Sequence, residues 1–400
     1  MTLYQKLRNE MENHRRFWNY YGVNFDDVFQ DEEAARDFIY NYFKGGSKLY
    51  SLDTWANSMN EYMQMRNVHT VNVFFIGAFL QRIIDKNIAI KSEVSSQYPF
   101  SYIWYLLCLA HDFGYVYENY SKVYLELPEK QHYRRCCRKM DIPKFFPRKR
   151  WYQEHGINIT YLYPQFGEKS NVSYYRRDVE QRLRCNIEYN NGIVIKRPRY
   201  SREAINNYFY YRLYEMNTLD HGIIGGDEFF SRLVVNYVKE YRVMAIKDFF
   251  QESIYNFHNE RGLHFCSEQF KLFAYVADCI ASHNMYMADN ESSRVYTNYS
   301  LDCLLPDKFE PISYKDNPLL FILCVADTIE PSKRFTNYHN KDLLNLISID
   351  YIKDTNFLYV EIDEELYNSD AGHRYVRDIK GLTKWCDIET DVKPKIFGEH

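Results

Sequence analysis

The dipeptide His111-Asp112 closes an apolar run over 100–110 and is followed by Phe113, Gly114 and Tyr115. A carboxylate at the end of such a run is costly to bury unless a cation offsets its lost hydration. A divalent ion is a natural partner, because at a helix C-terminus an imidazole and the next carboxylate can both bend toward one ion. Similar polar residues sit on or beside apolar runs elsewhere. His69 opens the run over 69–80 and shares a helical face with Val73, Ile76 and Leu80. His221 falls in a Gly-flanked turn over 219–226, His283 comes late in the run over 267–286, and Asp327 comes late in the run over 317–331. Any one of these histidines reads most simply as a structural or surface residue. The ordered set is different: six polar groups on five segments would be expensive if unpaired, and convergence on metal satisfies all of them at once.

The elements that must position these groups are mainly helices. Residues 1–65 read as helical, with a loop at Gly45-Gly46-Ser47 and a helix start at Asp31. Apolar helices are expected over 69–84 and 100–111, the second buried nearly all round. Helices resume near 203, from Asp227 to about Gln251, and over 267–285. Another runs over 318–329, with Asn317 as cap, Pro318 at the first helical position and Pro331 just past the end. The tail changes class. Alternating residues over 347–352 and 357–362 flank a polar turn, which predicts a β-hairpin, then a short helix around 373–384 and a last strand. Between them, roughly 121–205 reads as a long irregular insertion. The expected organisation is a helical catalytic domain over 1–340, carrying that insertion, and a small α+β C-terminal region over 341–400.

Composition removes several function classes. The chain has 400 residues, 46% hydrophobic and 26% charged, with only 15 Gly and 11 Pro, so disordered and collagen-like readings fail. A net charge of −4 argues against a uniformly basic polyanion binder. Nine cysteines, an odd count, often sit inside apolar runs as reduced thiols do, and no zinc-type CxxC pairing accompanies Cys136-Cys137. The N-terminus shows no apolar signal region, and apolar stretches stop at about ten residues, short of the ~20 needed to span a bilayer. A soluble, cytoplasmic protein without a membrane partner is expected. One local exception stands out: residues 130–150 hold nine Lys/Arg against one acid, Asp141. Arg148 and Arg150 there sit beside Trp151 and Tyr152, a mixture that suits phosphate-rich or single-stranded ligands. The 39 tyrosines fall mostly at helical spacings and read as packing.

The order His69, His111-Asp112, His221, His283, Asp327 resembles the H…HD…H…H…D signature of the HD-domain metal-dependent phosphohydrolase superfamily, over about 69–335. The resemblance implies an all-α bundle with a central metal site, and hydrolysis of phosphoesters or nucleotide anhydrides. Carried over by position, His69, His111, Asp112 and Asp327 would hold one ion. Asp112 would bridge to a second, held by His221 and His283. Asp112 and His221 are the expected catalytic residues. The mixed imidazole and carboxylate set suits Fe, Mn, Co, Ni or Zn, as one or two ions. The stretch Asp327-Thr328-Ile329-Glu330-Pro331 is similar to that of bacterial HD-type diadenosine tetraphosphate hydrolases. It places Lys333 and Arg334, with Arg148 and Arg150 from the insertion, as candidates for substrate phosphates. The expected substrate is a phosphorylated small molecule, a nucleotide first. A metal-dependent nuclease or RNA-processing enzyme, and a non-catalytic regulatory module with the same fold, are the alternatives. His155, in Glu154-His155-Gly156-Ile157, echoes His221 and is the alternative ligand; His258 and His264 are weaker candidates.

Overall fold

The structure is a computed structural model, and it describes residues 1–13, 28–45, 66–85, 89–91, 97–112, 114–115, 187–188, 194–195, 199–216, 218, 220–230 and 267–396. Helices dominate. They are α1 (Leu3–Asn13), α2 (Glu32–Gly45), α3 (Asn67–Asp85), α4 (Phe100–His111), α5 (Arg202–Tyr214), α6 (His221–Phe230), α7 (Ser267–Ser282), α8 (Ser293–Asn298), α9 (Pro318–Ile329) and α10 (Asn340–Asn345). Short antiparallel pairs join β1 (Ala89–Lys91) to β2 (Gln97–Pro99), and β3 (Ile187–Glu188) to β4 (Val194–Ile195). Among the described residues no helix is long and apolar enough to cross a membrane.

Helix starts follow local chemistry. Asp31 Oδ1 accepts from the Ala34 amide at 2.9 Å, and Ser201 Oγ from the Ala204 amide at 3.1 Å. Each satisfies an amide that the first helical turn leaves without an intrahelical partner. The start of α3 is capped from a distance: Glu32 Oε2 accepts from the Asn67 and Val68 amides. Pro318 opens α9, where its missing N–H costs nothing.

Three helices, α3, α4 and α9, are apolar on nearly every side and form the centre. Ile103 to Ala110 is buried without a break, and so is Leu319 to Ala326. Close approach of α3 and α4 depends on Gly77, whose added Cβ would lie 1.9 Å from the Trp104 ring. The Trp104 indole N–H donates to the Phe74 carbonyl at 2.8 Å, so this large ring is buried with its one polar atom satisfied. Helices α6 and α7 pack on each other and on α4.

The tail forms a three-stranded sheet, β5 (Ile347–Ile352), β6 (Phe357–Asp363) and β7 (Glu389–Lys395). The expected hairpin pairs Ile347 with Ile362 through to Ile352 with Phe357, and its polar turn has Asn356 at φ 50°. Strand β7 lies parallel to β6. A parallel neighbour needs a crossover; here it contains α11 (Glu364–Tyr367) and α12 (Asp370–Gly381). Alternate residues Leu358, Val360 and Ile362 face the core. The buried apolar residues make one cluster from Leu3 to Val392, so tail and bundle share a core. Tyr375 of α12 ties them directly: its hydroxyl donates to the Ile329 carbonyl at the end of α9 at 2.5 Å.

One boundary differs from expectation. The helix expected from Asp227 already begins at His221 and is described to Phe230. Glycines 222, 225 and 226 lower helix propensity, which points to a turn. Packing overrides it: a Cβ on Gly226 would lie 2.5 Å from the Ala277 carbonyl oxygen of α7. Gly222 and Gly226 let α6 lie against α7, and Gly225 lets it approach the Ala110 carbonyl of α4. Most of the expected insertion, with its basic segment 130–150, lies outside the described residues.

Candidate metal centre

The six residues expected as ligands meet at one end of the bundle. His69 lies in the first turn of α3 and His221 is the first residue of α6. His111 ends α4, Asp112 follows it, His283 follows the end of α7, and Asp327 lies in the last turn of α9. The helices therefore run so that two starts and three ends converge. Asp112, His69, His111 and His283 are almost fully buried, and His221 is 5% exposed.

Two groups emerge, His69 with His111 and Asp112, and Asp112 with His221 and His283; in each, one ligand atom per residue lies within 4.8 Å of the others. Asp112 is common to both. His69 Nε2 lies 3.0 Å from Asp327 Oδ1, 3.3 Å from Asp112 Oδ2 and 3.2 Å from His111 Nε2. His111 Nε2 lies 3.4 Å from Asp112 Oδ1 and 3.6 Å from Asp327 Oδ1. Two donors each about 2.1 Å from one ion, at about 90–110°, are about 3.0–3.4 Å apart. Four of these spacings match that requirement, and the His111 Nε2–Asp327 Oδ1 spacing of 3.6 Å slightly exceeds it. On the other side, His221 Nε2 is 3.9 Å from Asp112 Oδ1, and the His221 and His283 rings are 5.2 Å apart.

The far side of each ring fixes its tautomer. His111 Nδ1 lies 2.7 Å from the Cys108 carbonyl oxygen and His283 Nδ1 lies 2.6 Å from that of Ile280. A carbonyl only accepts, so both Nδ1 atoms carry the proton. His69 Nδ1 faces Glu330 Oε2 at 2.7 Å. Burial acts against a charged Glu330, but His69, Asn72 and the Ser332 amide outweigh it and hold the pKa below its usual value, so this carboxylate also accepts. The Nε2 lone pairs of His111 and His283 consequently point inward, whereas burial and Lys333 act to lower the His69 pKa but Glu330 and Asp327, one at each ring nitrogen, outweigh them and raise it. Burial, reinforced by His221 and His111, pushes His283 down to about 3, a neutral ligand.

What faces these lone pairs is more acceptor. His283 Nε2 and Asp112 Oδ1 are buried and make no hydrogen bond. Such atoms are costly to leave unsatisfied. A proton can serve one acceptor pair, whereas an ion inside the ring serves several at once. The donor set, its spacing and its two orphaned atoms therefore fit a divalent transition metal.

Cations surround the same carboxylates. Lys333 Nζ donates to Asp327 Oδ1 at 2.6 Å and lies 3.5 Å from Asp112 Oδ2, while Arg66 donates to Asp112 Oδ2 at 2.7 Å. Burial acts to raise the Asp112 pKa, yet His111, Lys333, Arg66 and His69 hold it well below the usual carboxylate range. Asp327 is likewise low: Lys333, His111 and His69 overcome its burial. The Arg66 guanidinium sits 3.5 Å over the Tyr115 ring, and Tyr115 stacks on His221 at 3.7 Å and 15°. Burial and Asp112 push the Tyr115 hydroxyl up to about 12, so it stays protonated. Gly114 makes room for this wall, since a Cβ there would lie 1.9 Å from the His221 carbonyl oxygen.

Of the expected phosphate contacts, Lys333 is at the centre. Arg334 points elsewhere: its Nε and Nη2 donate to Asp378 Oδ2 of α12 at 3.0 and 2.8 Å. Arg148, Arg150, His155, His258 and His264 lie outside the described residues. Sequence reading missed Arg66, Tyr115, Asn72, Glu330, Asp220 and Asn284. Arg66 had a signal, since it precedes His69 by three residues and shares its helical face.

Glu330 has a measurable role. Asn72 Nδ2 donates to its Oε1 at 2.7 Å and also to Asn340 Oδ1 at 2.8 Å, so the carboxylate that orients His69 is itself anchored. Replacing such a partner lowers metal affinity by about 10- to 100-fold. Glu330→Gln is expected to do so in a competition titration against a chelating dye; unchanged affinity would show that Glu330 does not set the ring.

Comparison with family models, characterised proteins and solved structures finds no match to this chain.

Proposed function

We propose that this protein is a metal-dependent phosphohydrolase built on an HD-type helical bundle. It acts on a phosphorylated small molecule, a nucleotide first. The observation that carries the reading is the convergence of six imidazole and carboxylate ligands, from five helix ends, with two orphaned buried acceptors among them. The two cations beside them favour an anionic substrate: Arg66 and Lys333 keep partial exposure, 28% and 20%, while reaching the ligand carboxylates.

His69, His111, Asp112 and Asp327 would hold one ion, and Asp112, His221 and His283 a second; Fe, Mn, Co, Ni or Zn all suit these donors. When bound, such ions act as Lewis acids, neutralising phosphate charge and easing the deprotonation of water near neutral pH. The chain's own residues do the rest. Arg66 offers a planar, bidentate fork and Lys333 a point charge, both suited to phosphate oxygens. Tyr115 holds Arg66 and His221 in one stack, and its protonated hydroxyl is a hydrogen-bond donor. Among the described residues the His69, His111, Asp112 and His283 side chains are buried, while Arg66, Lys333 and Asp327 keep partial exposure beside them, where a substrate phosphate would enter.

A phosphate-release screen tests this. Protein loaded in turn with each metal should release phosphate or cleave an anhydride for at least one nucleotide, and lose that activity after chelation. Cleavage of single-stranded RNA or DNA with steep salt dependence would instead favour the nuclease reading, to which the basic segment 130–150 would contribute. A metal-loaded protein inert on the whole panel would leave a regulatory module.

A further inference from the structure

The two halves of the centre are held by different devices. His69 is oriented by Glu330, within the α3–α9 contact described above. His283 is held differently, with its Nδ1 2.6 Å from the Ile280 carbonyl oxygen. His221 and His283 are also tied together by side chains one residue away from each of them. Asp220 Oδ2 accepts from Asn284 Nδ2 at 2.6 Å, and Asp220 Oδ1 accepts from the Ile223 amide at 2.9 Å. One carboxylate thus caps the helix that His221 begins and grips the residue that follows His283. Asp220 is fully buried and Asn284 is 5% exposed, so water does not compete for this bond. The charge is compensated from α5, where Arg212 Nε lies 3.4 Å from Asp220 Oδ2.

The surrounding packing makes the tether specific. A Cβ on Gly222 would lie 3.1 Å from both Cε1 and Nδ1 of the His283 ring, so the start of α6 and that ring are in direct contact. The His283 Nε2 on the other side of the ring is buried without a hydrogen-bond partner. A ring held by backbone on one edge and unpartnered on the other is poised for a ligand, and its placement depends on the segment that Asn284 anchors.

We propose that Asp220 and Asn284 are positioning residues for the His221–His283 half alone, so that the second ion site can be lost while the first is kept. This rests on the reading of the six residues as metal ligands. Supporting residues around metal ligands shift affinity by about 10- to 100-fold, and that loss should fall on one ion of the pair.

The test uses Mn²⁺ alone, with equilibrium dialysis for stoichiometry and electron paramagnetic resonance for coupling between ions. Wild type is expected to hold two ions with a spin-coupled signal. Asn284→Ala keeps the Asp220 cap on α6 but loses the tether. It should hold one ion as tightly as wild type, bind the second about 10- to 100-fold more weakly, and show the uncoupled signal. The swap D220N/N284D rebuilds the bond with donor and acceptor exchanged, and should restore the second ion and the coupling. Two ions bound normally by Asn284→Ala would overturn the proposal, and so would equal weakening of both ions or a swap that restores nothing. A wild-type chain that takes up no Mn²⁺ fails the metal reading itself. One that holds a single ion overturns the two-half description and leaves the metal reading standing.

Discussion

Asp112→Ala should empty the centre of metal and abolish hydrolysis. Asp112 is the one residue common to both ligand groups, with Oδ2 3.3 Å from His69 Nε2 and Oδ1 3.4 Å from His111 Nε2 and 3.9 Å from His221 Nε2. Among the described residues no neighbouring carboxylate can replace it, because Asp327 lies on the His69–His111 side and Glu330 is committed to His69 and Asn72. Metal ions contribute several kcal/mol of charge stabilisation in hydrolytic transition states. At about 1.36 kcal/mol per tenfold in rate, the loss should exceed about 10³-fold. Asp112→Asn is the companion variant, since it preserves side-chain shape against Arg66 and removes only charge. Metal analysis and phosphate release on both proteins check this. Full activity in a metal-free Asp112→Ala protein would remove the basis for the mechanism.

A second large effect is expected at Lys333. Burial acts to lower its pKa, but Asp112 and Asp327 raise it above the usual lysine value, so it is a fixed cation in the site. Two roles can be separated. If Lys333 contacts substrate phosphate, Lys333→Ala should keep its metal and lose about 10- to 150-fold in kcat/KM, the equivalent of about 1.5–3 kcal/mol for a hydrogen bond to a charged group. Lys333→Arg should recover part of it. If Lys333 only neutralises the carboxylates, Lys333→Ala should bind metal more tightly with kcat/KM unchanged. Steady-state kinetics together with a metal titration distinguish the two outcomes.

These expectations rest on features that differed in how plainly the sequence announced them. Helix α9 was legible to the residue because Pro318 and Pro331 bracket it, and proline acts locally. The β5–β6 hairpin was legible because its alternation of faces is also local. The six candidate ligands could be picked out because each lies on or beside an apolar run, where a polar group needs a reason. Helix α6 was misjudged at its start because the three glycines describe contacts with α4 and α7, and no local pattern carries a neighbour's position. The supporting residues failed for the same reason. Glu330 beside Pro331 looks like an ordinary helix exit, and Asp220 and Asn284 look like turn residues. Only the fold brings Glu330 to His69 and Asp220 to Asn284, 64 positions apart in the chain. Arg334 illustrates the reverse case: adjacency to Lys333 suggested a shared task, while the backbone turn sends it to Asp378.

Anomalous scattering from crystals grown from protein loaded with Mn²⁺ or Co²⁺ locates the ions directly. A peak is expected about 2.0–2.2 Å from Nε2 of His69 and His111 and from carboxylate oxygens of Asp112 and Asp327, with a second beside Asp112, His221 and His283. Maps with no anomalous peak among these six residues, from protein shown to be folded and soaked at millimolar metal, would contradict that expectation.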